Sequence, residues 1–250
     1  TGGVLKSTLT LAAAGGLELG AAAGYMTNAL NTFGLKARDA GAVAAALAGG
    51  ANASTASVES LGMALGQDGP GALNAGLSLQ ETVAALAAFD NAGIKGSDAG
   101  TSLKTMLTRL VPQTDKAAGA MEDLGLKFTD AKGKFVPLSN IAEQLKRKLG
   151  GLSQEQKTTA LSTIFGSDAT RAASVLMKEG KAGVEKYTKA TSDRGAAERM
   201  AKTGTEGAAG AFEAFNHMGV VARLELLEHP RAAGRGSKPR AKIVLDRDRD

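Results

Sequence analysis

Small side chains at helical spacing constrain this chain more than any other feature. The sequence has 33 glycines and 48 alanines among 250 residues, and aromatic residues make up only 4%. Apolar residues recur three and four positions apart, which is typical of helices with one buried face. Small side chains allow close helix packing, although each buries less apolar surface than leucine or phenylalanine does. The pattern predicts a mainly α fold of packed helical hairpins.

Polar residues and glycines mark where the predicted helices begin and end. Ser78 with Glu81 and Ser153 with Gln156 form capping boxes, and Ser57 is a further N-cap. Glycines 34, 93, 150 and 180 are expected to end helices in the left-handed conformation. The predicted helices cover residues 5–14, 17–33, 37–48, 57–65, 79–92 and 100–111, then a helix capped by Ser139 that runs to Leu149, and residues 153–165 and 168–178.

One stretch, residues 126–138, departs from the helical pattern. Phe128 and Phe135 flank a turn at residues 130–134 that contains Gly133. This arrangement predicts a small β-hairpin, in which Pro137 is tolerable only at an edge. An isolated two-stranded hairpin is marginally stable, so we expect it to lie against the neighbouring helices.

Short motifs recur along the chain. The tetrapeptide Gly-Ser-Asp-Ala occurs at 96–99 and again at 166–169, and a Gly-Leu pair precedes a capped helix at 34–35, 76–77 and 151–152. These recurrences suggest duplicated helical hairpins. They are too degenerate to establish a solenoid.

The sequence offers no catalytic, cofactor-binding or metal-binding constellation. It has no cysteine and only two histidines, which excludes disulfides, thiolate zinc sites and three-histidine metal sites. We interpret His217 and His229 as structural residues. The acids Asp90, Asp98 and Asp168 are expected to cap helix amides, and the distinctive loop at residues 91–96 is expected to be a tight interhelical turn. The chain is therefore not expected to be an enzyme.

Positive charge is concentrated near the carboxyl end. Residues 223–250 hold eight basic and five acidic side chains, and so three of the five net positive charges.

The early apolar stretch from Leu9 to Met26 is interrupted by Glu18 and rich in small residues, which makes it a poor membrane span. No signal peptide is recognisable.

Several motifs, taken in order, resemble the phage tail tape measure protein family. They are the runs at residues 25–35 and 76–110, the segment through Pro137 and Leu138, and the shorter motifs at 150–156, 164–169 and 196–201. The resemblance covers about residues 5–202, and the ordered series is far more specific than any single motif. We therefore expect a tape-measure-like helical domain at 1–202 and a divergent basic tail at 203–250.

The resemblance implies a structural role. Proteins of that family are elongated helical proteins around which tail-tube subunits assemble, and their length sets the length of the tail. It implies tail-tube subunits and tail-assembly chaperones as partners, self-association, and a location in the virion tail, with host cytoplasm during assembly. It implies no cofactor.

The chain departs from the family pattern at its ends, and alternatives remain. It begins without Met inside the pattern, and the long helical continuation is missing, so we expect a chain truncated at both ends. The basic tail is expected to be disordered, or else part of a winged-helix unit. A nucleic-acid-binding module acting through residues 231–242 is the alternative function. A fused peptidoglycan hydrolase is a third possibility, but no catalytic constellation supports it.

Overall fold

The computed structural model describes residues 2–207, and these residues are mainly helical. Of the described residues, 2–205 form one compact unit. The helices are α1 (Gly2–Gly15), α2 (Leu19–Thr32), α3 (Ala40–Ala53), α4 (Val58–Asn74), α5 (Leu79–Asn91), α6 (Gly96–Thr108), α7 (Asp115–Asp123), α8 (Leu138–Leu149) and α9 (Gln154–Thr191), with a short 3₁₀ turn (Ala37–Asp39) before α3 and helical residues at 196–207. The predicted fold class is confirmed as mainly α. His217, His229 and the basic segment 231–242 lie outside the described residues.

The long helix α9 is the common packing partner of most other helices. It packs most extensively on α8 and also contacts α3, α5, α6 and α7, while α1 and α2 pack on α3 and α4. Phe89 of α5 and Phe165 of α9 are the largest fully buried side chains. Because most other core residues are alanine, leucine and valine, the core depends on many short contacts between closely spaced helices.

Glycines allow two of these helix contacts to be unusually close. A Cβ on Gly62 of α4 would lie 2.6 Å from the ring of Tyr25 on α2. A Cβ on Gly100 of α6 would overlap the carbonyl oxygen of Ala64 on α4. The backbone of α4 is therefore in direct contact with both neighbours, as the abundance of small residues predicts.

The capping boxes at the starts of α5 and α9 are confirmed. Ser78 accepts a hydrogen bond from the Glu81 amide, and Ser153 accepts one from the Gln156 amide. The prediction that Ser139 caps α8 is wrong, because the helix begins at Leu138 with Pro137 as its N-cap. The Pro137 carbonyl already accepts the amides of residues 140 and 141, so the first turn forms without a side-chain cap.

The glycine predictions are partly confirmed. Gly34 and Gly93 have positive φ values of 61° and 85° after the ends of α2 and α5. Gly150 does not, because its φ of −55° is right-handed and it only extends the last turn of α8. Gly180, with φ 63°, kinks α9 and does not end it.

The two Gly-Ser-Asp-Ala motifs adopt similar local structures. Gly96 and Gly166 both have positive φ, 52° and 70°, and each precedes a run of helix. Ala99 and Ala169, the last residues of the two motifs, are both buried. Gly166 is thus a second kink in α9, which explains why the sequence predicted separate helices at 153–165 and 168–178.

Helix α4 extends beyond its predicted end at residue 65 and continues through Pro70 to Asn74. Proline lacks the amide proton that would bond to the carbonyl of Gly66. The helix persists because this half of α4 packs on α2 and α6, and tertiary contacts outweigh the local preference.

The predicted β-hairpin at 126–138 is wrong. No strand occurs among residues 2–207, and the segment is a loop with a single isolated bridge between Thr129 and Phe135. The turn is held by the carboxylate of Asp130, which accepts the amides of Lys132 and Lys134.

The cross-strand bonds stop after Val136 N–H to Phe128 O at 2.9 Å and Asp130 N–H to Lys134 O at 2.8 Å, because α8 begins at Leu138. The backbone groups of Lys127 face the other edge of the segment, where a helix side chain binds them. Gln144 of α8 accepts the Lys127 amide at 2.8 Å and donates to the Lys127 carbonyl at 2.7 Å. Phe128 turns into the core, where its ring lies 6.3 Å from that of Phe165. The segment therefore lies against the helices, as expected, but as a loop.

Candidate functional site

Several polar side chains meet where α5 ends. Asp90 is 3% exposed, and its Oδ1 accepts a hydrogen bond from the Thr55 hydroxyl at 2.9 Å. Its Oδ2 accepts one from the Ser60 hydroxyl at 3.0 Å, and Lys95 Nζ lies 3.7 Å from Oδ1. Both carboxyl oxygens therefore have protein partners. We call Thr55, Ser60, Asp90, Asn91 and Tyr187 the Asp90 cluster.

The neighbouring Asn91 extends this cluster to α9. Its Oδ1 accepts the Thr55 amide at 2.7 Å, and its Nδ2 donates to the Tyr187 hydroxyl oxygen at 2.6 Å. The Ser60 hydroxyl in turn accepts the Gly96 amide at 3.0 Å. The cluster thus joins the α3–α4 connection, the α5–α6 turn and α9. The prediction of a tight turn at residues 91–96 is confirmed by the positive φ values of Gly93 and Gly96.

The three acids expected to cap helix amides do not do so. Asp90 binds hydroxyl groups, as described above. Asp98 pairs with Arg171 of α9 at 2.8 Å, and Asp168 accepts the Ser167 hydroxyl. The prediction failed because it considered only each acid's own helix end, and the partners of Asp90 and Asp98 come from other elements. Among residues 2–207, no group of three or more His, Cys, Asp or Glu residues could hold a metal ion.

One titratable residue was missed by sequence reasoning. Asp68 of α4 is 1% exposed, and neither carboxyl oxygen has a hydrogen-bond partner. Burial raises the pKa of Asp68 to about 7, and the charge of Lys104 partly opposes this rise. A signal was present, because Asp68 follows Leu61 and Leu65 at helical spacing and so lies on the buried face of α4.

The outer face of α1 carries exposed apolar side chains. Leu5 and Leu9, one helical turn apart, are 58% and 49% exposed, and Leu19 at the start of α2 is 45% exposed. Within residues 2–35 the only charged side chains are Lys6 and Glu18. We call Leu5 and Leu9 the α1 leucine pair. Such a nearly uncharged face is suited to contact with another protein surface.

Comparison with known proteins decides the family. The pattern of the family described as "Phage-related minor tail protein" matches residues 1–166. The chain belongs to this family. The matched part of this minor tail protein chain contains α1 to α8 and most of the Asp90 cluster, whereas Tyr187 lies beyond it.

Two curated relatives extend the comparison. This minor tail protein chain is 34% identical over 229 residues to the tape measure protein of Pneumococcus phage Dp-1, which covers 90% of the chain and 20% of the relative. It is 37% identical over 142 residues to the probable tape measure protein of Escherichia phage P2, which covers 56% of the chain and 17% of the relative. The chain spans about a fifth of the length of these relatives. No solved structure matches it.

In the minor tail protein chain, no helix among residues 2–207 is both long enough and apolar enough to cross a membrane. The early apolar stretch from Leu9 to Met26, which the sequence analysis rejected as a span, is divided between α1 and α2.

Proposed function

We propose that this chain is a helical region of a tape measure protein, a structural component of the phage tail that sets tail length and scaffolds assembly of the tail tube. The observation that carries the proposal is the 34% identity to a tape measure protein over 90% of the chain. We place the protein in the virion tail, and in the host cytoplasm during assembly.

The geometry supports a role that depends on shape and not on catalysis. The helices of residues 2–205 pack closely at two glycines, Gly62 against the Tyr25 ring and Gly100 against the Ala64 carbonyl. The carboxyl group of Asp90 uses both of its oxygens to join chain segments. These features favour a unit with defined surfaces, on which other subunits can pack.

We further propose that tail-tube subunits and tail-assembly chaperones contact this region through its helical faces, and that copies of the protein self-associate in the tail. The α1 leucine pair is the face we assign to a tail-tube subunit. Two leucines that are about half exposed would lose water on contact, and the sparse charge of residues 2–35 means that few charges would be desolvated.

Co-purification with the tail-tube protein tests the proposal. The 250-residue chain is co-expressed with the tube subunit of the same phage, and the retained complex is quantified. The double variant Leu5→Glu/Leu9→Glu is expected to reduce retention at least tenfold, because two charges would be buried in the contact. Val111→Glu, at a side chain that is 50% exposed, is the control and should retain the wild-type level.

Circular dichroism would first establish that both variants are folded. Absence of any wild-type complex with the tube subunit would contradict the proposed contact, as would equal losses in the two variants. Self-association without tube binding would assign the face to a second copy instead.

A further inference from the structure

The second half of α4, residues 66–74, combines a buried acid with a weak stretch of helix. Asp68 has both carboxyl oxygens buried and without partners. Pro70 removes one backbone hydrogen bond, and Gly66, Gly69 and Gly71 each favour the helix less than alanine by about 1 kcal/mol. We call residues 66–74 the α4 distal segment.

The first half of α4 is, in contrast, anchored. Ser57 caps its first turn by accepting the Ser60 amide. The Ser60 side chain belongs to the Asp90 cluster, through its bond to the carboxyl of Asp90. Ionisation of Asp68 is therefore expected to displace residues 66–74 and to leave the first half of α4 in place.

Charged groups near α4 offer the Asp68 carboxylate little compensation. Among the helices that pack on α4, the charged side chains are Lys6 on α1, Glu81 and Asp90 on α5, and Asp98 and Lys104 on α6, while α2 and α3 have none. Lys104 is the group that acts on Asp68, yet burial has the larger effect and its net result is a raised pKa of about 7. Among residues 2–207, no ion pair joins Lys104 to Asp68.

The Asp68 side chain packs closely against its own helix. Oδ1 lies against Gly71, where an added Cβ would overlap it. On the facing helix α2, Thr32 approaches Gly69 and Asn28 approaches Gly66, and neither side chain is titratable. Movement of the surrounding turn would let an ionised Asp68 regain hydration.

We propose that the α4 distal segment is a proton-dependent switch, docked on α2 and α6 while the Asp68 carboxyl is neutral and released when that carboxyl is ionised. Release would expose the faces of α2 and α6 that the segment covers and leave the first half of α4 in place. The domain would thus have two states whose balance is set by pH in the neutral range.

Hydrogen exchange of the 250-residue chain, measured by mass spectrometry at pH 5, 6, 7 and 8, tests this proposal. The measured exchange rate of each peptide is divided by the intrinsic exchange rate at that pH. The ratio then depends only on how often the segment opens. In the open state the Asp68 pKa returns toward 3.8, so protons stabilise the docked state. Protection of peptides covering residues 66–77 is expected to fall by up to about tenfold per pH unit from pH 5 to 7, and to level off above pH 7.

Two variants and a reference helix complete the design. Asp68→Asn cannot ionise and is expected to show no pH dependence in this segment. Asp123→Asn, at an exposed position on α7, is the matched control and should behave as the wild type. Peptides from α8 should keep constant protection throughout.

Three outcomes would overturn the proposal. They are a wild-type segment without pH dependence, an Asp68→Asn variant that keeps it, and a parallel loss of protection in α8, which would indicate global unfolding. Carbon-13 NMR of the wild-type chain gives a second readout that requires no variant. Titration of the Asp68 carboxyl between about pH 4.5 and 7 supports the switch, and titration at its ordinary value near pH 4 contradicts it.

Discussion

The Asn91 side chain of α5 donates a hydrogen bond to the Tyr187 hydroxyl of α9 at 2.6 Å, across 96 positions of sequence. This bond, together with the Thr55 amide bound to Asn91 Oδ1, fastens the end of α5 to the longest helix and to the α3–α4 connection. The stability of residues 2–205 depends on such hydrogen bonds between helices, because the small side chains of the core provide few large apolar contacts.

Tyr187→Phe is expected to lower the free energy of unfolding by roughly 0.5–1.5 kcal/mol, because it removes the hydroxyl and leaves Asn91 Nδ2 without its partner. Urea denaturation followed by circular dichroism measures the change. Tyr25→Phe is the control, since no hydrogen bond of the Tyr25 hydroxyl is found among residues 2–207, and it should be near neutral. Equal losses in the two variants would show that the Asn91 bond is not the cause.

Asp90→Ala is expected to cost roughly 1–3 kcal/mol of unfolding free energy, because the Thr55 and Ser60 hydroxyls would both lose their acceptor. Asp98→Ala removes an acid of the same type whose salt bridge to Arg171 is exposed. That control should cost less than about 1 kcal/mol. A larger loss for Asp98 than for Asp90, measured by the same denaturation, would contradict the importance of the cluster.

Gly100→Ala is expected to destabilise the unit by roughly 1–3 kcal/mol, because the added methyl group would overlap the Ala64 carbonyl and push α4 and α6 apart. Gly119 of α7 has nothing within 4 Å of an added Cβ. Gly119→Ala should therefore stabilise by roughly 0.5–1 kcal/mol through helix propensity. Thermal denaturation distinguishes the two, and opposite signs are the expected result. A stable Gly100→Ala variant would mean that the helices are not in backbone contact.

Asp68→Asn is expected to raise the melting temperature more at pH 8 than at pH 4.5. The folded pKa is raised to about 7 from 3.8, so folding takes up a proton between these values. Wild-type unfolding free energy is then highest below about pH 4 and falls as pH rises to about 7, by at most roughly 4 kcal/mol. Asparagine removes this dependence. Equal stabilisation at both pH values would show that Asp68 does not titrate with a raised pKa.

Local features of the sequence predicted much of the helical framework. The capping boxes at Ser78 and Ser153 fixed two helix starts, since the two bonds of a capping box lie within four residues. Gly34 and Gly93 follow the ends of two helices for a similar reason, because a left-handed residue after a helix strongly favours glycine.

Features that depend on tertiary contacts were predicted less well. Pro70 lies inside α4 because packing on α2 and α6 outweighs its local cost. The segment at 126–138 is a loop with one bridge because α8 begins at Leu138, three residues after the bridge residue Phe135. Helix α7 was absent from the prediction, and the Asn91–Tyr187 bond has no local signature at all. Asp68 could have been placed on the buried face of α4, but its lack of partners required the structure.

Tail length is the most direct test of the proposed function. The full-length protein is shortened in frame at helical segments outside the unit that ends at Thr205, and the tails of purified virions are measured by electron cryomicroscopy. The proposal predicts intact tails that are shorter by up to about 1.5 Å for each deleted helical residue. Infectious virions with tails of unchanged length across a series of deletions would contradict it.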